Sequence, residues 1–139
     1  MNSDQYIQRV RDLFGEFGHL DVDRACSYFH DDGYIQMMMK EPYAGMAEIR
    51  NMFTLWATRY GAVDTPIRQI TGTGNVVMVE WSDESTHNGQ RYVVPCVGVV
   101  EFDGDRIKAW RLYYDSALEA SSETTGLKQR AEGVATGSS

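Results

Sequence analysis

The sequence has few cysteines, few histidines and no long apolar run. Its 139 residues include only Cys26 and Cys96, which lie far apart and form no Cys-x-x-Cys motif. This spacing excludes a disulfide-stapled scaffold and favours a reducing, cytoplasmic location. The three histidines have no ligand-type neighbours at a spacing typical of metal sites, and no glycine-rich phosphate loop is present. We therefore expect neither a metal nor a cofactor.

Positive charge is also scarce. The chain has 13 basic and 20 acidic residues, a formal net charge of −7. Such a chain lacks the basic surface that binds nucleic acid or an anionic membrane. No segment approaches the roughly 20 apolar residues of a membrane span, and the polar residues 1–5 are unlike a signal peptide. Nucleic acid and membrane are therefore not expected as partners.

Hydrophobic residues make up 42% of the chain and aromatic residues 12%, which is enough for a packed core. The size and composition predict a single domain over residues 1–118. Residues 119–139 are rich in serine, threonine, glycine and alanine and contain few apolar residues. That composition predicts a flexible C-terminal tail.

Helical periodicity comes first along the chain, and strand alternation follows. Apolar spacing predicts helices over residues 4–18 and 46–60, with a short helix capped by Asp21 between them. The predicted strands are residues 34–39, 65–71, 76–84, 91–102 and 106–115, with a turn at residues 31–33. The pairs Asn88-Gly89 and Asp103-Gly104 are strong hairpin turns. This order predicts an α+β fold in which helices cover one face of a mainly antiparallel sheet.

The alternation in the strand over residues 76–84 singles out one carboxylate. Val77, Val79 and Trp81 share a face with Asp83, so an acidic residue ends an otherwise apolar inward row. A carboxylate in apolar surroundings is the environment of a general base. Alternatively, Asp83 lies at the open end of its strand and is simply solvated.

Two segments resemble a known family. Residues 110–115, Trp-Arg-Leu-Tyr-Tyr-Asp, are similar to the closing Trp-Arg-Asp-Tyr-Phe-Asp strand of the SnoaL-like and limonene-epoxide-hydrolase-like branch of the nuclear-transport-factor-2-like superfamily. Residues 32–45 also resemble that branch, around Gln36 and Pro42. The resemblance covers residues 4–117. It implies a cone-shaped, curved sheet, covered by three N-terminal helices, that encloses an apolar pocket.

The catalytic residues of that branch are mostly replaced. Its epoxide hydrolases position a water with Tyr, Asn and Asp, and these positions fall at Ile35, Met37 and Leu112. The epoxide-polarising Arg falls at Trp81, and only its Asp partner is retained, as Asp83. Apolar side chains cannot polarise an epoxide or activate water, so epoxide hydrolysis is not expected.

Ketosteroid isomerase, a more distant relative by resemblance, fits no better. Its base falls at Met37, and its oxyanion-hole Asp and Tyr fall at Gly98 and Leu13. The implied pocket therefore lacks both the catalytic residues of the epoxide hydrolases and those of ketosteroid isomerase. The residues expected to line it are Phe17, Ile35, Met37, Met39, Met52, Phe53, Trp56, Trp81, Cys96 and Leu112.

Two function hypotheses remain. The first is a cofactor-independent lyase or isomerase that uses acid–base catalysis on a hydrophobic, aromatic small molecule. In it Asp83 is the base, and Tyr114, with Tyr92 as a further candidate, supplies a hydroxyl group. The second is a non-catalytic module that binds an apolar ligand. In both, the resemblance implies a homodimer formed through the outer face of the sheet.

Overall fold

Three helices cover one face of the sheet. In the computed structural model, which describes residues 1–60 and 62–115, the helices are α1 (Ser3–Glu16), α2 (Val22–Ser27) and α3 (Met46–Tyr60), and a single 3-10 turn, Phe17–His19, follows α1. The helices predicted from periodicity are therefore confirmed, with shifts of a residue or two at the ends of α1. The predicted tail lies outside the described residues, and the division into domain and tail stays a prediction.

Local side-chain caps explain where the first two helices begin. The Asn2 side chain accepts a 3.0 Å hydrogen bond from the Gln5 N–H, and the Gln5 side chain accepts a 2.8 Å bond from the Asn2 N–H. This reciprocal capping box satisfies donors that the first helical turn leaves without partners. Asp21 caps α2 in the predicted way, accepting a 3.2 Å bond from the Arg24 N–H.

The sheet has six strands and is not closed. The strands are β1 (Phe29–Met37), β2 (Tyr43–Ala44), β3 (Ile67–Thr73), β4 (Val76–His87), β5 (Gln90–Asp103) and β6 (Arg106–Tyr114). Their order across the sheet is β2-β1-β6-β5-β4-β3. Only the β1–β6 pair is parallel, and the other pairs are antiparallel. The α+β fold with a mixed sheet is thus confirmed.

The Asn88-Gly89 turn sets the register on which the site depends. Both residues have positive φ, 52° and 76°, as a tight two-residue hairpin turn requires. His87 therefore pairs with Gln90 directly across the turn, and the ladder continues without a shift to Asp83 opposite Val94. Because a one-residue slip would turn every side chain to the other face, this turn decides which residues meet inside.

The predicted turn at residues 31–33 is wrong, because these residues belong to β1. β1 already pairs with β6 at Phe29, opposite Ile107, and a register shift absorbs the extra residues before Tyr34. A Cβ on Gly33 would lie 2.9 Å from the Ile107 carbonyl oxygen. Gly33 therefore permits two backbones to approach closely, and sheet pairing overrides the local turn signal.

The core lies between the helices and the inward sheet face. Trp110 is 1% exposed and its ring lies beside those of Phe17, Trp56 and Trp81, at centroid distances of 5.9, 6.4 and 6.1 Å. Alternation along β4, β5 and β6 turns one row of each strand inward, and the buried residues of these rows are Val77, Val79, Trp81, Tyr92, Cys96, Val100, Phe102, Trp110 and Leu112. The opposite face is open, and Met78, Val97 and Tyr113 are exposed there.

Candidate active site

Asp83 lies on β4, at the end of the buried inward row, and is half-buried. The indole Nε1–H of Trp81 donates a hydrogen bond of 2.8 Å to its Oδ1. The two side chains are neighbours because residues i and i+2 of a strand lie on the same face. The indole ring fixes the direction of the carboxylate, since a hydrogen bond of this length is directional.

The other carboxylate oxygen of Asp83 meets a thiol. Cys96 Sγ lies 3.7 Å from Oδ2 of Asp83 and 3.3 Å from the Val94 carbonyl oxygen. Cys96 pairs directly with Trp81 across the β4–β5 ladder, and this brings its side chain diagonally next to Asp83. Both oxygens of the carboxylate therefore have a side-chain donor beside them.

Trp81 and Cys96 were both expected only to line the pocket, so this arrangement around Asp83 was missed. A signal was available in the Asn88-Gly89 turn. This turn places His87 opposite Gln90. If the pairs are counted back from there, Trp81 lies opposite Cys96, and Asp83 lies two residues from Trp81 on the same face.

Asp83 forms part of the wall of an apolar cavity of about 130 Å³ between the sheet and α3. The cavity is lined by Phe17, Leu20, Met37, Trp56, Tyr60, Val63, Thr65, Trp81, Asp83, Ser85, Tyr92, Val94, Trp110, Leu112 and Tyr114. Among these described residues Asp83 is the one carboxylate. Its surroundings are mainly aromatic and aliphatic, with a few hydroxyl groups.

The structure brings the three proposed catalytic residues, Asp83, Tyr92 and Tyr114, to this single cavity. Five of the residues expected to line the pocket also line this cavity: Phe17, Met37, Trp56, Trp81 and Leu112. Ile35, Met52, Phe53 and Cys96 are buried in the core around it, but they are not part of the cavity wall.

Met39 is at the surface instead of in the pocket. It is 65% exposed, and its sulfur accepts a 3.6 Å hydrogen bond from the Tyr113 hydroxyl on the outer side. β1 ends at Met37, and the backbone then turns through positive φ at Met38 and Met39. The inward–outward alternation on which the expectation rested therefore stops at Met37, two residues before Met39.

Seven lining residues were missed by sequence reasoning: Leu20, Tyr60, Val63, Thr65, Ser85, Val94 and Trp110. Val94 and Trp110 lie on the inward rows that alternation identified, and Ser85 follows Asp83 at the same spacing. Leu20, Val63 and Thr65 lie outside the regular helices and strands, so no periodicity marks them. Their place is set by contacts such as the 3.0 Å bond from the Thr65 hydroxyl to the Phe14 carbonyl.

The packing around Gly98 explains why this chain has no acidic residue at the position of the oxyanion-hole Asp of ketosteroid isomerase. A Cβ at this position would lie 2.9 Å from Trp110 Nε1 and 2.9 Å from Trp81 Cζ3. The two indole rings thus occupy the space that a side chain at 98 would need. An oxyanion-hole Asp at this point of the sheet, as ketosteroid isomerase would have it, is incompatible with this packing.

Residues 10–110 match the family model described as a SnoaL-like domain. This match covers most of the chain. The chain belongs to the SnoaL-like family. No curated protein matches its sequence.

Solved structures support the fold of this SnoaL-like chain. A putative SnoaL-like polyketide cyclase from Jannaschia sp. CCS1 is 15% identical with a TM-score of 0.77, over 86% of this chain and 92% of that one. A limonene-epoxide-hydrolase-like epoxide hydrolase of M. tuberculosis is 23% identical with a TM-score of 0.73, over 83% and 81%. A hypothetical protein with a ketosteroid isomerase-like fold from Catenulispora acidiphila, in complex with trimethylamine, is 16% identical with a TM-score of 0.68, over 76% and 84%. These likenesses show a shared fold.

No helix among residues 1–60 and 62–115 has the length and apolar character needed to cross a membrane. Within the same residues, no three His, Cys, Asp or Glu side chains cluster closely enough to hold a metal ion.

Proposed function

We propose that this SnoaL-like protein is a lyase or isomerase that acts by proton transfer on a hydrophobic, aromatic small molecule. The observation that carries the proposal is Asp83, a carboxylate oriented by Trp81 at 2.8 Å in the wall of an apolar cavity. A fixed carboxylate beside an enclosed apolar space can remove a proton from a bound carbon acid. Similar solved structures, one described as a putative SnoaL-like polyketide cyclase and one as having a ketosteroid isomerase-like fold, are consistent with this chemistry.

In this proposal Asp83 is the general base and Tyr114 the hydrogen-bond donor. Tyr114 is the last residue of β6 and lines the same cavity. Its phenol would stabilise negative charge as it develops on a substrate oxygen during proton removal. Tyr92 lines the cavity too and is the second candidate for this role. Trp56 and Leu112 would hold the apolar body of the substrate.

Elimination or isomerisation fits these residues better than hydrolysis of an epoxide. The resembling hydrolases hold and activate water at three positions. In this chain two of these positions are occupied by Met37 and Leu112, on the cavity wall, and the third by Ile35, in the core. Apolar side chains give a nucleophilic water no hydrogen-bond partners.

A binding module without turnover is the second candidate. The observation that favours it is that Trp81 and Cys96 already stand beside the two oxygens of Asp83. A carboxylate supported in this way can also serve only to satisfy the buried indole N–H.

The experiment that separates the two candidates is a screen of phenolic, polyketide and epoxide compounds, read by mass spectrometry. Loss of water or of a small carbonyl fragment identifies a lyase, and a new isomer of unchanged mass identifies an isomerase. Asp83→Asn keeps the side-chain shape and removes the base, so turnover should fall at least about 100-fold while ligand affinity changes little. Binding without any product in the wild type supports the module, and full turnover by the variant removes Asp83 from the mechanism.

We also propose a homodimer through the outer sheet face. Met78, Val97 and Tyr113 are exposed there, at 53%, 46% and 36%. Val97 lies opposite Tyr113 in the β5–β6 ladder, so two of them form a continuous apolar patch. Burial of such a patch against a second copy would remove apolar surface from water.

A further inference from the structure

The turn after β1 has an unusual backbone for its sequence. Met38 and Met39 have φ values of 52° and 58°, in the left-handed region, and the Lys40 N–H donates a 2.9 Å bond to the Met37 carbonyl across them. Side chains with a Cβ rarely adopt this conformation, and two in succession are strained. At the β4–β5 turn the same chain uses Asn88-Gly89, the residues that tolerate it best.

The side chains of this turn reach the end of β6. Met38 Sδ accepts a 2.9 Å hydrogen bond from the backbone N–H of Tyr114. The β1–β6 ladder ends with Met37 opposite Leu112, and the Met38 N–H donates a 2.8 Å bond to the Leu112 carbonyl. The Tyr114 N–H thus lies just past the last backbone acceptor of β1, and a thioether sulfur takes the place of that acceptor.

We infer that Met38 is a positioning residue, which holds Tyr114 in the cavity wall through this sulfur contact. On its other side Tyr114 is held by pairing with Cys96 on β5. Loss of the Met38 contact would remove this connection between the Tyr114 backbone and the β1 side of the sheet. The strained turn thus supplies the side chain that reaches the Tyr114 N–H.

This inference rests on the proposed function, because it gives Met38 a purpose only if Tyr114 acts on the ligand. Four variants separate the contact from the strain. Met38→Leu keeps the apolar bulk and the strain but has no acceptor. Met38→Gln keeps the strain and offers an amide oxygen in place of sulfur. Met39→Gly relieves strain next to the contact without touching it, and Tyr114→Phe removes the phenol alone.

The first measurement needs no ligand. Protein labelled with ¹⁵N-tyrosine gives eight tyrosine amide signals, one for each tyrosine, and the Tyr114 signal is the one missing in Tyr114→Phe. Met38→Leu should move this signal and speed its hydrogen exchange, while Met38→Gln should largely restore the protection. Met39→Gly should leave the signal in place and raise Tm by about 2–4 °C. An unmoved Tyr114 amide in Met38→Leu overturns the contact. If Met38→Leu does not fold, hydrogen exchange in the wild type decides the same question, because an unprotected Tyr114 amide there also overturns the contact.

The second measurement uses 2-naphthol, a phenolic probe, with binding followed by quenching of tryptophan fluorescence. Tyr114→Phe should weaken binding about 5- to 10-fold, the scale of one lost hydrogen bond. Met38→Leu should weaken it by a similar factor, with no further loss in the double variant, because both act through the same hydroxyl. Additive losses, or a moved amide with unchanged binding, overturn the positioning role of Met38. If Tyr114→Phe itself has no effect, the proposed role of Tyr114 fails and the positioning role fails with it, although the amide signal still reports on the contact.

Discussion

Trp81 and Asp83 form a hydrogen-bonded pair within one strand, with Nε1 of the indole 2.8 Å from Oδ1 of the carboxylate. The indole is 2% exposed and packs edge-on against Phe14, at a centroid distance of 4.9 Å. The core therefore holds the donor rigidly while the carboxylate reaches the cavity. The Trp81 side chain thus both packs in the apolar core and orients the Asp83 carboxylate.

Trp81→Phe should separate these two roles. The ring keeps most of its packing, but the donor to Asp83 is lost, and the free energy of unfolding should fall by about 1–2 kcal/mol. If Asp83 is the base, kcat should fall more than KM changes, because a misdirected carboxylate still permits binding. Urea unfolding and steady-state kinetics measure the two effects. Trp56→Phe, on the same cavity wall, is the matched control, and an equal loss of kcat in that variant would contradict the orienting role.

Gly98→Ala should destabilise the fold. The added methyl group would lie 2.9 Å from ring atoms of both Trp81 and Trp110, and both indoles are buried, at 2% and 1% exposure. We expect a loss of about 1–3 kcal/mol in the free energy of unfolding. Gly15→Ala is the control, because a Cβ there meets no atom within 4 Å and α1 should gain up to about 1 kcal/mol from the better helix former. Equal Tm changes in the two variants would show that the Gly98 packing is looser than described.

Restoring two hydrolase side chains should not restore hydrolysis. Met37→Asn combined with Leu112→Asp returns two polar groups to the cavity wall, but Trp81 still occupies the position of the epoxide-polarising Arg in the resembling enzymes. We expect no diol from limonene epoxide. We also expect a lower Tm, because polar groups replace apolar ones without arranged partners. Gas chromatography of the reaction mixture detects the product, and measurable diol would contradict our interpretation of the site.

A charge placed on the outer sheet face should break the proposed dimer. Val97→Glu inserts a carboxylate into the patch opposite Tyr113, and its desolvation in an interface would be unfavourable. Light scattering should give a dimer mass for the wild type at micromolar concentration and a monomer mass for the variant. Leu55→Glu, on α3 and 51% exposed, should remain dimeric. A monomeric wild type would rule the dimer out.

Periodicity, capping and turn residues made the fold largely predictable. The spacing of apolar residues located α1 and α3, and the Asn88-Gly89 pair located the hairpin on which the site is built. The inward row that ends at Asp83 followed from simple alternation, since a strand places every second side chain on one face. These signals are local, and each was contained in fewer than about 20 residues.

Other features were decided by contacts between segments distant in sequence. Residues 31–33 carry a turn signal, yet pairing with β6 draws them into β1. Met39 was expected to face inward, but the left-handed backbone at Met38 ends the alternation on which that expectation depended.

The sequence by itself determined which residues could face the interior, because that depends on the alternation within each strand. Only the tertiary structure decided that Trp81 and Cys96 would hold the two oxygens of Asp83, and that Met38 would reach the Tyr114 N–H. Such contacts depend on side-chain orientations that the surrounding packing sets, and on backbone angles that no residue pattern marks. Alternation assigns a residue to a face, whereas the partner it meets there is chosen by how strands and turns pack together.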